Sequence, residues 1–96
     1  MAEIMTRLNA IVQKTIAEYV TPAYKGKLYY AHNVDDGLHT VLFVPDNDYP
    51  VAMETEVVVM ARVVDDTVII EQDTTDRPLA HKLERNGIPH EQIIMK

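Results

Sequence analysis

The chain has 96 residues, 47 % of them apolar, which sets the expectation of a single domain over residues 1–96 with enough core to fold unaided. Cysteine is absent, so disulfides, thiol nucleophiles and thiolate zinc sites are excluded; the first twenty residues, with charges scattered through them, read as neither a signal peptide nor a membrane span, and a cytoplasmic location is expected. The formal net charge of −6, with nine dispersed Lys and Arg residues, argues against a stand-alone nucleic-acid binder, whose affinity comes from cations neutralising phosphates.

Ile4, Leu8, Ile11, Val12, Ile16, Tyr19 and Val20 recur at helical spacing and predict a first helix ending near Val20, because Pro22 lacks an amide proton and disfavours helical geometry at Thr21. Thr21 to Gly26 makes a linking turn. "KLYYAHN" and "LHTVLFV" predict two strands joined at Asp36-Gly37, a hairpin signal because glycine tolerates positive φ. "PDNDYP", including Tyr49, reads as a loop. "METEVVVMARVV" and "TVIIEQ" predict strands three and four, reversing at Asp65-Asp66. The expectation is an α+β fold: an N-terminal helix, a four-stranded antiparallel meander, then a C-terminal helix, with both helices on one face of the sheet.

The third strand places Val57, Val59, Ala61 and Val63 on one side and Val58, Met60 and Val64 on the other, so both faces require cover. Two helices cover one face. The second is expected to be a subunit or partner surface, and a homodimer or higher homo-oligomer is expected.

The acids of "IIEQDTTDRPLAHKLERNG" admit two readings. In the first, Glu71 and Asp73 leave a strand end and hold a divalent cation with Asp65 or Asp66, as in a small metal-dependent nuclease. The restriction-type template needs Glu-x-Lys, whereas Glu71-Gln72-Asp73 carries an acid in the lysine position. In the second, Thr75 is the N-cap of a helix, Asp76 sits where the dipole favours negative charge, and Pro78 lies in the first turn. Leu79, Ala80 and Leu83 then form the buried stripe, Lys82 and Arg85 favour the C-terminal end, and Gly87 is the stop. The second reading uses more of the residues and is preferred.

Other chemistry is sparse. "HEQII" at His90 is not the His-Glu-x-x-His zinc pattern, His81 lies on the predicted helix, and His32 and His39 occupy opposite arms of the hairpin with no third ligand placed beside them. There is no serine and no glycine-rich phosphate loop. A small-ligand module with a pocket lined by Tyr24 and Tyr30 remains an alternative to the nuclease. On this reading no catalytic, cofactor-binding or metal-ligating residue is assigned, and the protein is not expected to be an enzyme.

The segment "DDTVIIEQDTTDRPLAHKLERNGIPHEQIIM" (Asp65–Met95) resembles the XisI family, the excision controlling factors named for the fdxN element of cyanobacteria, and the helix and strands before it are similar in order and length. Thr67 to Gln72 match the family's strand; Asp73, Thr75 and Asp76 match its turn and cap; and Leu83 matches its helix. Gly87, Ile88, Pro89, Glu91 and Ile93 match its Gly-Ile/Val-Pro-x-Glu-x-Ile exit. The chain departs from the family in having "VPDNDYP" where a Gly-Trp-Asp-Gly turn is usual, and no Trp anywhere. The resemblance implies an accessory role in site-specific excision of a DNA element, through contacts with the nuclease-like companion protein XisH. No catalytic residue is carried over with it.

Overall fold

The computed structural model describes residues 2–33, 35–46 and 54–96. The expected loop at 45–50 lies mostly outside them, as do Tyr49 and the expected start of the third strand at Met53. Helix α1 (Ala2–Ala17) is followed by β1 (Gly26–Asn33), β2 (Leu38–Pro45), β3 (Glu56–Val64), β4 (Thr67–Asp73), α2 (Leu79–Arg85) and β5 (Ile93–Met95).

α1 forms because Leu8, Val12 and Ile16 fall at steps of four and bury completely on one stripe. It stops at Ala17, three residues before the expected Val20. The amides of Glu18, Tyr19 and Val20 bond the carbonyls three residues back, at 3.2, 3.0 and 3.1 Å, a tightened last turn. Tyr19 thereby swings into the core, and its hydroxyl donates to the carbonyl of Arg77, tying the end of α1 to the start of α2.

The strands run in the order β1-β2-β3-β4-β5. The first four are the expected antiparallel meander, but the sheet has five strands and is mixed, since β5 pairs parallel to β4 through Val68–Ile93, Ile69–Ile94 and Ile70–Met95. A three-residue strand is too short to show alternation in sequence. Gly37 closes the first hairpin at φ +66°, and a Cβ there would stand 2.4 Å from the Val63 carbonyl oxygen. Only glycine allows that approach, and it lets the Gly37 carbonyl accept from Val63 N at 2.8 Å.

Two register shifts interrupt the ladder. Val41 pairs Val59 but Leu42 pairs Val57, leaving Val58 as the extra residue. Met60 pairs Gln72 but Ala61 pairs Ile70, leaving Glu71 as the extra residue. Val57 thus partners Leu42 rather than extending the row of Val59, Ala61 and Val63, which corrects the single-face row expected for β3.

α1 packs over β2 and β3, and α2 over β4 and α1. The core lies between them: Val41, Val59, Ala61, Val63, Val68 and Ile70 from the sheet against Leu8, Val12, Ile16, Tyr19, Leu79, Leu83 and Ile88. Truncating Leu8 or Leu83 to alanine costs about 2–5 kcal/mol by cavity formation. α2 ends in paired bonds from Gly87 N to Glu84 O (3.1 Å) and from Ile88 N to Leu83 O (3.0 Å), with Gly87 at φ +107°. Ile88 and Leu83 bury together, the apolar contact that accompanies this helix stop.

Candidate functional site

With both helices on the inner face, the strand registers assign the residues of the other. Leu38, Arg62, Ile69 and Ile94 form one row across it, Ala31, Thr40, Met60 and Gln72 a second, and Tyr29, Leu42 and Val57 a third. Among the described residues no helix covers this face. Tyr29 is 46 % and Ile94 50 % exposed, while Leu38, Leu42, Val57, Met60 and Ile69 are half-buried by their neighbours. One edge carries a charge ladder in which Glu71 accepts from Arg62 Nε at 3.1 Å and from Lys96 Nζ at 2.8 Å. The face is thus mostly apolar, with Thr40 and Gln72 in its middle row and charge at its margin.

The acidic cluster is placed quite differently from a metal site. Lys96 and Arg62 hold the Glu71 carboxyl below the usual carboxylate range, each taking one oxygen. Asp73 Oδ2 accepts from Leu79 N at 2.8 Å, and Oδ1 accepts from Thr75 N at 2.9 Å and from the Thr75 hydroxyl at 2.6 Å. Both carboxylates are therefore occupied by protein donors. Asp65 and Asp66 form the β3–β4 turn, and Asp66 lies five residues from Glu71, about 17 Å along an extended strand. Asp65, at φ 55°, takes the left-handed conformation that a reversal needs. Among the described residues no group of three or more His, Asp or Glu side chains could hold a metal ion.

The helix cap is corrected as well. α2 begins at Leu79 and its first amide is capped by Asp73, six residues upstream. Thr75, the expected cap, braces that carboxylate, and its hydroxyl also lies 2.9 Å from the Arg77 carbonyl. Pro78 itself takes the N-cap position with extended backbone (φ −53°, ψ 127°), so the first helical residue is Leu79 and not one in the expected first turn at Asp76–Pro78.

His32 and His39, expected on opposite arms of the hairpin, are direct cross-strand partners in the register, with ring centroids 6.2 Å apart. His39 is 1 % exposed. Its Nδ1 meets the Tyr30 hydroxyl at 2.6 Å and its Nε2 meets Asn9 Oδ1 at 2.7 Å, while Asn9 Nδ2 donates to the Met5 carbonyl at 2.9 Å. With the Asn9 amide so oriented, Nε2 carries the proton and Nδ1 accepts from tyrosine. Burial, then the neighbouring His32, lowers the His39 pKa from 6.5 to about 4, so the ring is neutral at pH 7. An open groove of about 500 Å³ lined by Met5, Thr6, Asn9, Ala10, Gln13, Asp35 and His39 runs above it. Sequence reading missed this network, although a histidine in an otherwise apolar strand was the available signal.

Tyr24 and Tyr30, expected to line one ligand pocket, do not meet. Tyr24 is 83 % exposed in the α1–β1 connection with Lys25 Nζ 5.6 Å from its ring centroid, whereas Tyr30 is bound to His39 within the sheet. His81 is exposed on α2, and His90 Nδ1 lies 3.3 Å from Glu84. Among the described residues no helix is long and apolar enough to cross a membrane.

The XisI protein family model matches residues 1–96. Two solved structures share the fold. One is a XisI-like protein from Anabaena variabilis ATCC 29413, 17 % identical, covering 94 % of this chain and 84 % of that one, at a TM-score of 0.82. Another is the fdxN element excision controlling factor XisI from the same organism, 15 % identical, covering 95 % and 84 %, at 0.74. Among curated proteins none matches.

Proposed function

The chain belongs to the XisI family, and from that premise we propose that it is a non-enzymatic accessory protein that acts through protein contacts in the excision of a DNA element, with a XisH-type, nuclease-like protein as its partner. The observation that carries this reading is the outer sheet face, apolar at Leu42, Met60 and Ile69 and without helical cover among the described residues. Burying such a face contributes about 25 cal/mol for each Å² of apolar surface removed from water. The net charge of −6 supports the choice of partner. A nuclease presents a basic surface to DNA, and an acidic protein docks on that surface with electrostatic steering.

The test is binding between the purified chain and a XisH-type protein by calorimetry across a salt series. Tight binding at low salt that weakens as salt rises, and that Met60→Glu abolishes without unfolding the chain, is expected. Absence of binding at low salt would sink the reading.

A further inference from the structure

The two edges of the sheet differ in a way that demands explanation. β5 is three residues long and ends beside Lys96, a blunted edge. β1 is eight residues long, pairs β2 at every position without a register shift, and contains no proline. Among the described residues its other side pairs with no strand, and beyond Gly26, which makes an isolated bridge to Ala23, it is open. A long, regular, open edge is a template for strand addition, and natural proteins shorten, bulge or cover such edges.

We propose that β1 is the self-association surface of this protein: two copies pair β1 to β1 antiparallel across a two-fold axis, joining two five-stranded sheets into one. This deepens the homo-oligomer expectation attached to the accessory role, and it leaves the outer sheet face open for the partner.

The occupant follows from how charge is laid along the strand. Lys25 and Lys27 sit at its beginning, Asp35 and Asp36 just beyond its end, and no acid lies within Gly26–Asn33. Antiparallel pairing centred on Tyr29 or Tyr30 sets the lysine end of each copy beside the aspartate end of the other, twice per dimer. Parallel pairing would oppose lysine to lysine and aspartate to aspartate, which is unfavourable for residues directly across strands. The stretch from Lys25 to Asp36 balances two lysines against two aspartates, so two acidic chains meet there without net local repulsion. Tyr29 and Tyr30 fall at the centre, where aromatic pairs across strands are favourable. An eight-residue antiparallel ladder adds up to about eight backbone hydrogen bonds. The contact is isologous and closes at two copies, so it makes a dimer and not a fibre.

The experiment is sedimentation of the isolated full chain over a concentration series, which reads self-association with no partner protein present. The wild type is expected to dimerise. Two variants are then compared: Lys25→Asp with Lys27→Glu, and Asp35→Lys with Asp36→Lys. Each alone places like charges at both contacts and is expected to raise the dimer dissociation constant about tenfold or more. Mixed together they restore opposite charges at both contacts, so a heterodimer re-forms, an outcome that misfolded variants could not give. A monomeric wild type, a dimer indifferent to both variants, or a mixture that stays monomeric overturns the proposal. Met60→Glu, which probes the outer face, is expected to leave the dimer intact while abolishing partner binding, so the two readings fail separately.

Discussion

Tyr30 and His39 sit on neighbouring strands with hydroxyl and Nδ1 only 2.6 Å apart, and the imidazole is held neutral between that hydroxyl and Asn9. Its pKa, 6.5 in an unfolded chain, is lowered to about 4 in the fold. A depressed folded pKa means that the unfolded chain binds the proton first as pH falls. The histidine's contribution is therefore complete above about pH 6.5 and lost progressively toward pH 4, a loss of roughly 2 kcal/mol by pH 5. Glu18 and Glu71 also have lowered values, from 4.5, so their losses come at more acid pH and leave the window between 6.5 and 4.5 to His39. Urea unfolding at pH 7.5 and pH 5 reads the difference, and His39→Gln should flatten it. Tyr30→Phe leaves Nδ1 buried without a donor and should cost about 1–3 kcal/mol at pH 7.5.

Asp73 and Thr75 compete for the role of helix cap. Asp73 holds the Leu79 amide and Thr75 braces Asp73, so Asp73→Ala should destabilise by about 1–2 kcal/mol and Thr75→Ala by less. Chemical denaturation of the two variants ranks them. A larger loss at Thr75 would return the cap to the residue that sequence favours.

Gly87 tests conformation apart from packing. Nothing lies within 4 Å of where its Cβ would stand, yet its φ is +107°. Gly87→Ala should therefore lower stability by about 1–2 kcal/mol through backbone strain alone, visible as a reduced melting temperature. An unchanged melting temperature would show that the α2 exit relaxes to accept a side chain.

Glu71 separates the accessory reading from the nuclease one. Bound to Arg62 and Lys96, it should give an alanine variant with a small stability loss that shrinks at high salt, as for other exposed ion pairs. Magnesium or manganese titration calorimetry on wild type and Glu71→Ala should show no difference. A divalent-ion heat lost in the variant would reinstate the metal-site reading of the cluster.

Much of the fold could be read directly because it depends on neighbours in the chain. The α1 stripe of Leu8, Val12 and Ile16, the Gly37 hairpin and the Gly87 stop are local devices, and each sits where its periodicity or turn chemistry placed it. The errors share one character. Ending α1 at Ala17 depends on Tyr19 finding the Arg77 carbonyl, 58 residues away. The cap on α2 lies at Asp73 because the helix starts only after Pro78 and the chain folds Asp73 back onto the Leu79 amide, and β5 exists only because the chain after α2 returns Ile93–Met95 to the free edge of β4.

The surfaces divide in the same way. Alternation in β3 already required two covered faces, and composition already gave the acidic balance; both are properties of residue order and number. Which face the helices take, that His39 is enclosed by Asn9 and Tyr30, and that β1 is an edge strand among the described residues are decided by tertiary structure. Strand order, register and helix docking are long-range outcomes, set by which apolar surfaces bury together, and no local pattern encodes them.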